Sequence, residues 1–204
     1  GFKEQDLVDA GVAAVSSRGT LIDRFRGRIM FGIRDHRGLL AGFTGRALSD
    51  SASAKYLNSP ASVLFDKSKL LFGLYEQAPV APHADAIVAV EGPFDVAATL
   101  ANSPQRCPIV VVAPCGTALT SGHLDAIDAL VPRDRPRVFA FDADASGRKA
   151  VIERATDALG RYDELGLTTL PDGQDPAEYA LSVGPEENAA AYLGPPHTRP
   201  AVEV

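Results

Sequence analysis

The chain has 204 residues, 46% hydrophobic and 23% charged, with a net charge of −6 and mean hydropathy near zero. That is globular material, enough for one larger domain or two small ones, with no apolar run near the ~18 residues of a membrane span and no signal-peptide pattern in the start GFKEQDLVDAG. Two cysteines, Cys107 and Cys115, and four scattered histidines assemble no zinc-ligand cluster by spacing, and the default setting is reducing and cytoplasmic.

Taken in chain order, KEQDLVDAGVAAV predicts a helix over residues 1–17, ending near Ser16 and Ser17. RFRGRIMFGIRDHRGLLAGFTGRAL (24–48) holds two apolar-rich runs split by Asp35-His36-Arg37-Gly38, which predicts a β-hairpin. KYLNSP (55–60) follows, then a predicted helix around 67–78. APVAPHAD (78–85) reads as a linker, and a domain boundary is placed there. Beyond it the pattern changes. IVAVEG (87–92) is a strand closed by Glu-Gly, and FDVAATLAN (94–102) a short helix with Pro93 in its first turn. IVVVAPCGT (109–117) is a second strand, with Thr120 as N-cap of the helix SGHLDAIDALV. RVFAFDAD is a third strand, SGRKAVIERATDALGRY opens a long helix, and GLTTLPDGQDP (166–176) supplies a fourth strand and a turn. Strands that are apolar throughout and alternate with helices predict a parallel sheet of about four strands, covered by helices on both faces. The proline-rich tail GPPHTRPAVEV reads as a linker toward something further.

Charge is divided unevenly. Residues 1–76 hold 11 Lys/Arg against 8 Asp/Glu, while residues 77–204 hold 9 against 18. A basic front joined to an acidic back fits a polyanion-binding surface beside a cation-binding site. The acids are placed to match. In open α/β sheets ligands sit at the carboxyl ends of the strands, and acids follow three of the four: Glu91, then Asp142 and Asp144, then Asp172 and Asp175. Asp95 lies one helical turn beyond Glu91. Taken singly, Asp95 is explained by the helix dipole and Asp-Gly by a turn. Together they form an oxygen-only ligand set at one sheet edge, which suits Mg²⁺ or Mn²⁺.

EGPFD followed by FDADASGR resembles the Toprim signature of bacterial primases, topoisomerases and certain nucleases. RFRGRIMFGIRDHRG, GFTGR, KYLNSP, FDKSKLLFGL, VEGPFD, CGT, FDADASGRKA and LPDGQDP also stand in the order found in the catalytic core of DnaG-type primases, over roughly residues 20–185. The resemblance implies a basic α+β subdomain with a hairpin (1–80), a Toprim domain (84–184) and a helix or proline-rich tail (185–204). It implies Glu91, Asp142 and Asp144 as catalytic metal ligands, with Asp95 and Asp175 as outer acids around two or more Mg²⁺ or Mn²⁺ ions and no zinc in this segment. Arg46, Lys55, Tyr56, Asn58, Lys67 and Arg148 match the surface that meets template and nucleotide.

The implied activity is template-directed synthesis of RNA primers on single-stranded DNA from nucleoside triphosphates, by attack of a primer 3′-hydroxyl on an α-phosphate. A replicative helicase or flanking domains are implied as partners, and no membrane. Departures from the family pattern are Asp175-Pro176-Ala177, where a second acid is usual; Pro93-Phe94, with little chemical consequence expected; and Cys115, expected as a packed thiol rather than a nucleophile. The core stands either as part of a replicative primase or in a plasmid, phage or mobile-element protein. Two other readings remain open on the residues: a Toprim nuclease or topoisomerase-like enzyme, and a degenerate primase-like module that only binds DNA.

Overall fold

The computed structural model describes residues 1–104, 109–116, 119–140, 161–162, 165–168, 170, 174–193 and 198–200. The first helix, α1, is confined to Glu4–Asp9, shorter than the predicted 1–17. Gly11 ends it in the left-handed region (φ 69°), and a β-carbon there would meet Pro60 Cδ at 2.3 Å. The chain then turns into β1 (Ala13–Val15), antiparallel to β2 (Leu21–Asp23).

The predicted hairpin forms. β3 (Arg28–Arg34) and β4 (Leu40–Ala47) pair antiparallel, and β5 (Tyr56–Asn58) joins β4 as a third strand. The turn is held by Asp35, whose Oδ1 accepts the amides of Arg37 and Leu39, both at 2.9 Å, with Gly38 at φ 83°.

Residues 67–78 are not the predicted helix. They run through turns and the two-residue strand β6 (Leu71–Phe72), antiparallel to the second strand of the main sheet. Gly73, at φ 88°, takes the chain so close to Val111 that a β-carbon would lie 2.8 Å from its carbonyl oxygen. Buried Gln77 then locks the segment. Its Nε2 donates to the carbonyls of Gly73 (2.6 Å) and Val111 (2.7 Å), and its Oε1 accepts the Val111 amide (2.9 Å). Within the expected linker, a 3₁₀ turn over Ala81–His83 sets Ala81 and Ala84 in the core.

The main sheet follows from alternating strands and helices: β7 (Ala86–Ala89), α2 (Pro93–Ala101), β8 (Ile109–Pro114), α3 (Ser121–Asp128), β9 (Arg137–Phe139) and β10 (Leu165–Thr168). After β10 comes α4 (Pro176–Ser182), and the tail contributes α5 (Pro185–Leu193) and an edge strand, β11 (Thr198–Pro200), antiparallel to β10. The six strands lie in the order β11-β10-β9-β7-β8-β6, and the central four are parallel. Both faces are buried, as strands apolar throughout require. Ile87, Ala89, Val110, Val112 and Phe139 pack on Leu124 and Ile127 of α3; Val88, Val90, Val111 and Val138 pack on Val96 of α2 and Tyr192 of α5. Among the described residues no helix is long and apolar enough to cross a membrane.

The amino end of β9 holds a charged network. Asp128 accepts Arg137 Nη2 (3.2 Å), Arg161 Nη2 (2.8 Å) and the Tyr162 hydroxyl (2.8 Å), and pairs with Arg133 Nε at 2.9 Å. Arg137 is 2% exposed. Its guanidinium also donates to the carbonyls of Val131, Pro132 and Arg135, and stands 4.5 Å above the Tyr162 ring. Burial alone would raise the Asp128 pKa, but the bonds from Arg161, Tyr162 and Arg137 outweigh it and hold the carboxyl below its ordinary value. Its contribution to stability is therefore complete above the unfolded value, about 3.9, and is lost as pH falls through the depressed folded value. Asp128→Asn is expected to cost about 3 kcal/mol near neutral pH, since it leaves Arg137 buried without its counter-charge. The difference from wild type in urea denaturation should shrink as pH drops below about 4.

Candidate active site

Strand order defines where a ligand can sit. β7 is followed by β8 on one side, and the chain then crosses back to place β9 on the other. At such a switch point the connections leave on opposite faces and open a crevice beyond the carboxyl ends. The ends of β7 and β9 are locked together there, because the Ala140 amide donates to the Ala89 carbonyl at 2.9 Å. Glu91 lies two residues beyond Ala89 and is solvent-exposed. Asp142 and Asp144 follow Ala140 in sequence, and with Arg148, Lys149 and Asp172 they lie outside the described residues.

The two outer acids are each engaged locally. Asp95 is 7% exposed, and its Oδ2 accepts the Gly92 amide at 2.9 Å, closing the first turn of α2. Asp175 is the N-cap of α4, its Oδ1 accepting the Glu178 amide at 2.7 Å. Among the described residues no three His, Cys, Asp or Glu side chains gather as a metal site. Ala177, where the family pattern has a second acid, is buried in α4.

Above this edge stands the three-stranded basic sheet, and its side chains reach into the crevice wall. The Arg46 guanidinium lies 4.3 Å over the Phe94 ring and 5.8 Å from the Tyr56 centroid, with Nη1 donating to the Tyr56 hydroxyl at 3.4 Å. Phe94 packs edge-on against Phe31, which packs in the same way on Phe72. The Tyr56 hydroxyl sits so near Gly92 that a β-carbon there would be 2.9 Å away. Burial raises the Tyr56 pKa, and the Asp95 charge adds to it against the lowering effect of Arg46. Asn58 Nδ2 donates to the Cys115 carbonyl at 3.0 Å, and a β-carbon on Gly116 (φ 73°) would meet that amide at 2.5 Å. The motif KYLN is thus a clasp between β5 and the ends of β7 and β8. Lys55 is exposed; Lys67 is half-buried beside α3.

Sequence reasoning missed the part played by Phe94. It is the plate on which Arg46 rests, and its only sequence signal is an aromatic in the first turn after Glu-Gly. Arg24 and Arg28 are bound to backbone carbonyls, Arg24 to Asn58 and Arg28 to Gly45 and Lys55. Cys115 is buried among Ile33, Phe65 and Leu70, as a packed thiol should be.

The strand order, with an acid just beyond the first strand of the switch point, defines the class: a Toprim-like domain, whose family model matches residues 88–180. The particular family follows from what precedes it. Residues 1–78 match the model of the DNA primase catalytic core, N-terminal domain, and the chain belongs with the catalytic cores of DnaG-type primases. It is 38% identical over 183 residues to a DNA primase of Deinococcus radiodurans, and 40% over 190 residues to one of Neisseria meningitidis. These matches cover 89% and 92% of this chain but 31% of each relative, so the chain spans about a third of their length. A DNA primase domain from Pseudomonas aeruginosa superposes with a TM-score of 0.84 at 34% identity, covering all of this chain and 62% of that one. A DnaG catalytic domain bound to single-stranded DNA gives 0.80 at 34%, covering 92% and 59%. Toprim membership implies use of a divalent metal, and an exposed carboxylate at the switch point with oxygen-only neighbours in sequence fits one.

Burial pushes the Cys115 thiol up to about 12, so its thiolate is scarce at neutral pH. Iodoacetamide at about pH 8 is expected to leave Cys115 unmodified in the folded protein and to alkylate it in urea, read by peptide mass mapping.

Proposed function

We propose that this chain is the RNA-synthesising core of a bacterial DnaG-type primase. It would extend primers on single-stranded DNA by joining ribonucleoside triphosphates, a metal-dependent nucleotidyl transfer. The observation that carries this reading is the juxtaposition at the switch point. An exposed Glu91 stands just beyond β7, whose end is bonded through Ala89 to that of β9, and the basic sheet is clasped to the same edge by Arg46, Tyr56 and Asn58.

Each part has a chemical task. Glu91, Asp142 and Asp144 would hold Mg²⁺ or Mn²⁺, two or more ions, with Asp95 and Asp175 as outer acids. Metal bound there supplies neutralisation of triphosphate charge and activation of the attacking hydroxyl. Arg46, fixed flat on Phe94, presents guanidinium edges to phosphate without a conformational search, because its stem is already ordered. Lys55, Lys67 and Arg148 would add positive charge along the path of template and nucleotide, which makes binding salt-dependent. Tyr56 and Asn58 act mainly by holding the two subdomains in register. The other segments of the longer relatives, and a replicative helicase, are the partners this core would serve.

The test is extension of an end-labelled RNA primer annealed to a DNA template, with four ribonucleotides and Mn²⁺. Wild-type protein is expected to lengthen the primer, and Asp142→Asn and Glu91→Gln to reduce this roughly 100-fold or more. Retention of template binding in both variants would separate chemistry from docking. A shortened strand without added nucleotides would assign a nuclease instead.

A further inference from the structure

We propose that His123 is a positioning residue, which sets Lys67 in place through the first turn of α3. The proposal rests on the reading of Lys67 as a contact to nucleotide or template.

Three residues of that turn grip two consecutive peptide units of the segment 66–69. His123 Nε2 is 2.7 Å from the Lys67 carbonyl, and the Thr120 hydroxyl donates to the Ser68 carbonyl at 2.5 Å. Gly122 lies so close that a β-carbon would stand 2.6 Å from the Ser68 oxygen. The tautomer follows from the partners. A carbonyl oxygen can only accept, so Nε2 carries the proton; Nδ1 is then the acceptor for the Thr120 amide, 3.0 Å away. The Thr120 hydroxyl, having donated to Ser68, accepts the His123 amide at 3.3 Å. Both ring nitrogens and the hydroxyl proton are therefore committed, and none is free to turn outward.

His123 is fully buried, and burial lowers its pKa despite the favourable Lys67 and Leu70 carbonyls and the nearby Asp66 charge. A neutral imidazole is thus retained at physiological pH. Capping of an eight-residue helix requires only Thr120 and an acceptor at the third helical position. An asparagine or glutamate would serve there. A histidine adds a donor on its far side, and that donor ends on Lys67. Asp66 closes the other side of the segment, its Oδ1 accepting the Ser68 amide (3.0 Å) and hydroxyl (2.6 Å). The backbone of Lys67 and Ser68 is consequently held from both directions, and Lys67 itself is half-buried.

Two substitutions divide the imidazole. His123→Asn keeps an acceptor for the Thr120 amide and removes the donor to Lys67. His123→Gln can restore that donor at the position of Nε2. In the Mn²⁺-dependent extension assay, with KM for ribonucleotides and Kd for a labelled single-stranded DNA read separately, Lys67→Ala should raise one of the two constants. His123→Asn should raise the same constant by roughly tenfold or less with kcat within about twofold, and His123→Gln should lie close to wild type. On the Lys67→Ala background, His123→Asn should add nothing. Equal losses in the Asn and Gln variants, or a full effect of His123→Asn without Lys67, would overturn the proposal and leave His123 a packing residue. Unchanged constants in Lys67→Ala would overturn the reading of Lys67 itself, and the proposal with it.

Discussion

The parallel pairing of β7 with β9 is the constraint from which the rest of the molecule follows. Because β8 had already taken the other side of β7, the chain must cross over to reach β9, and α2 and α3 end on opposite faces. The crevice at the carboxyl edge is a by-product of that route. The register Ala89↔Phe139, with the bond from the Ala140 amide to the Ala89 carbonyl, fixes how the two strand ends meet. Everything offered for chemistry either leaves the sheet beyond that bond or leans over it from the basic subdomain.

The two edges of the sheet handle charge in opposite ways. At the amino edge, Asp128 sits at the carboxyl end of α3, where the helix dipole disfavours an anion, and three guanidiniums and a phenol compensate it. Among the described residues, the Asp128 carboxylate is thus compensated within the protein. The carboxyl edge holds its anions differently. Asp95 and Asp175 each spend one oxygen on a helix turn, and Glu91 is exposed. One edge closes its charges on one another, and the other sets its carboxylates on helix turns and at the surface.

Much of this was legible in the sequence, for a physical reason. The strands of the parallel sheet are apolar on both faces, so IVAV, IVVVA and RVFA stand out in any window, and Thr120 caps α3 as its chemistry requires. The failures have one cause. Residues 13–15 and 71–72 were read as helix because their local composition permits it, but each is decided by a distant partner: Pro60 against Gly11, and Val111 against Gly73 and Gln77. The site divides the same way. Acids at strand ends can be read along the chain. The plate beneath Arg46 cannot, since Phe94 lies 48 positions further on and reads locally as ordinary packing.

Gln77 has a significance for solubility. A parallel sheet four strands wide has two open flanks, and a strand as apolar as IVVVAP would be a template on which another chain could add itself. β6 covers only the end of β8, at Ala113 and Pro114. The next outward-facing peptide groups, the amide and carbonyl of Val111, are filled by the carboxamide of Gln77, which acts as one synthetic peptide unit. At the opposite flank β11 ends in Pro200, a residue with no amide to offer a newcomer. Among the described residues, one flank of the sheet therefore has its outward peptide groups taken up by β6 and a single carboxamide, and the other carries a proline in its edge strand, two of the devices by which edge strands discourage the addition of a further chain.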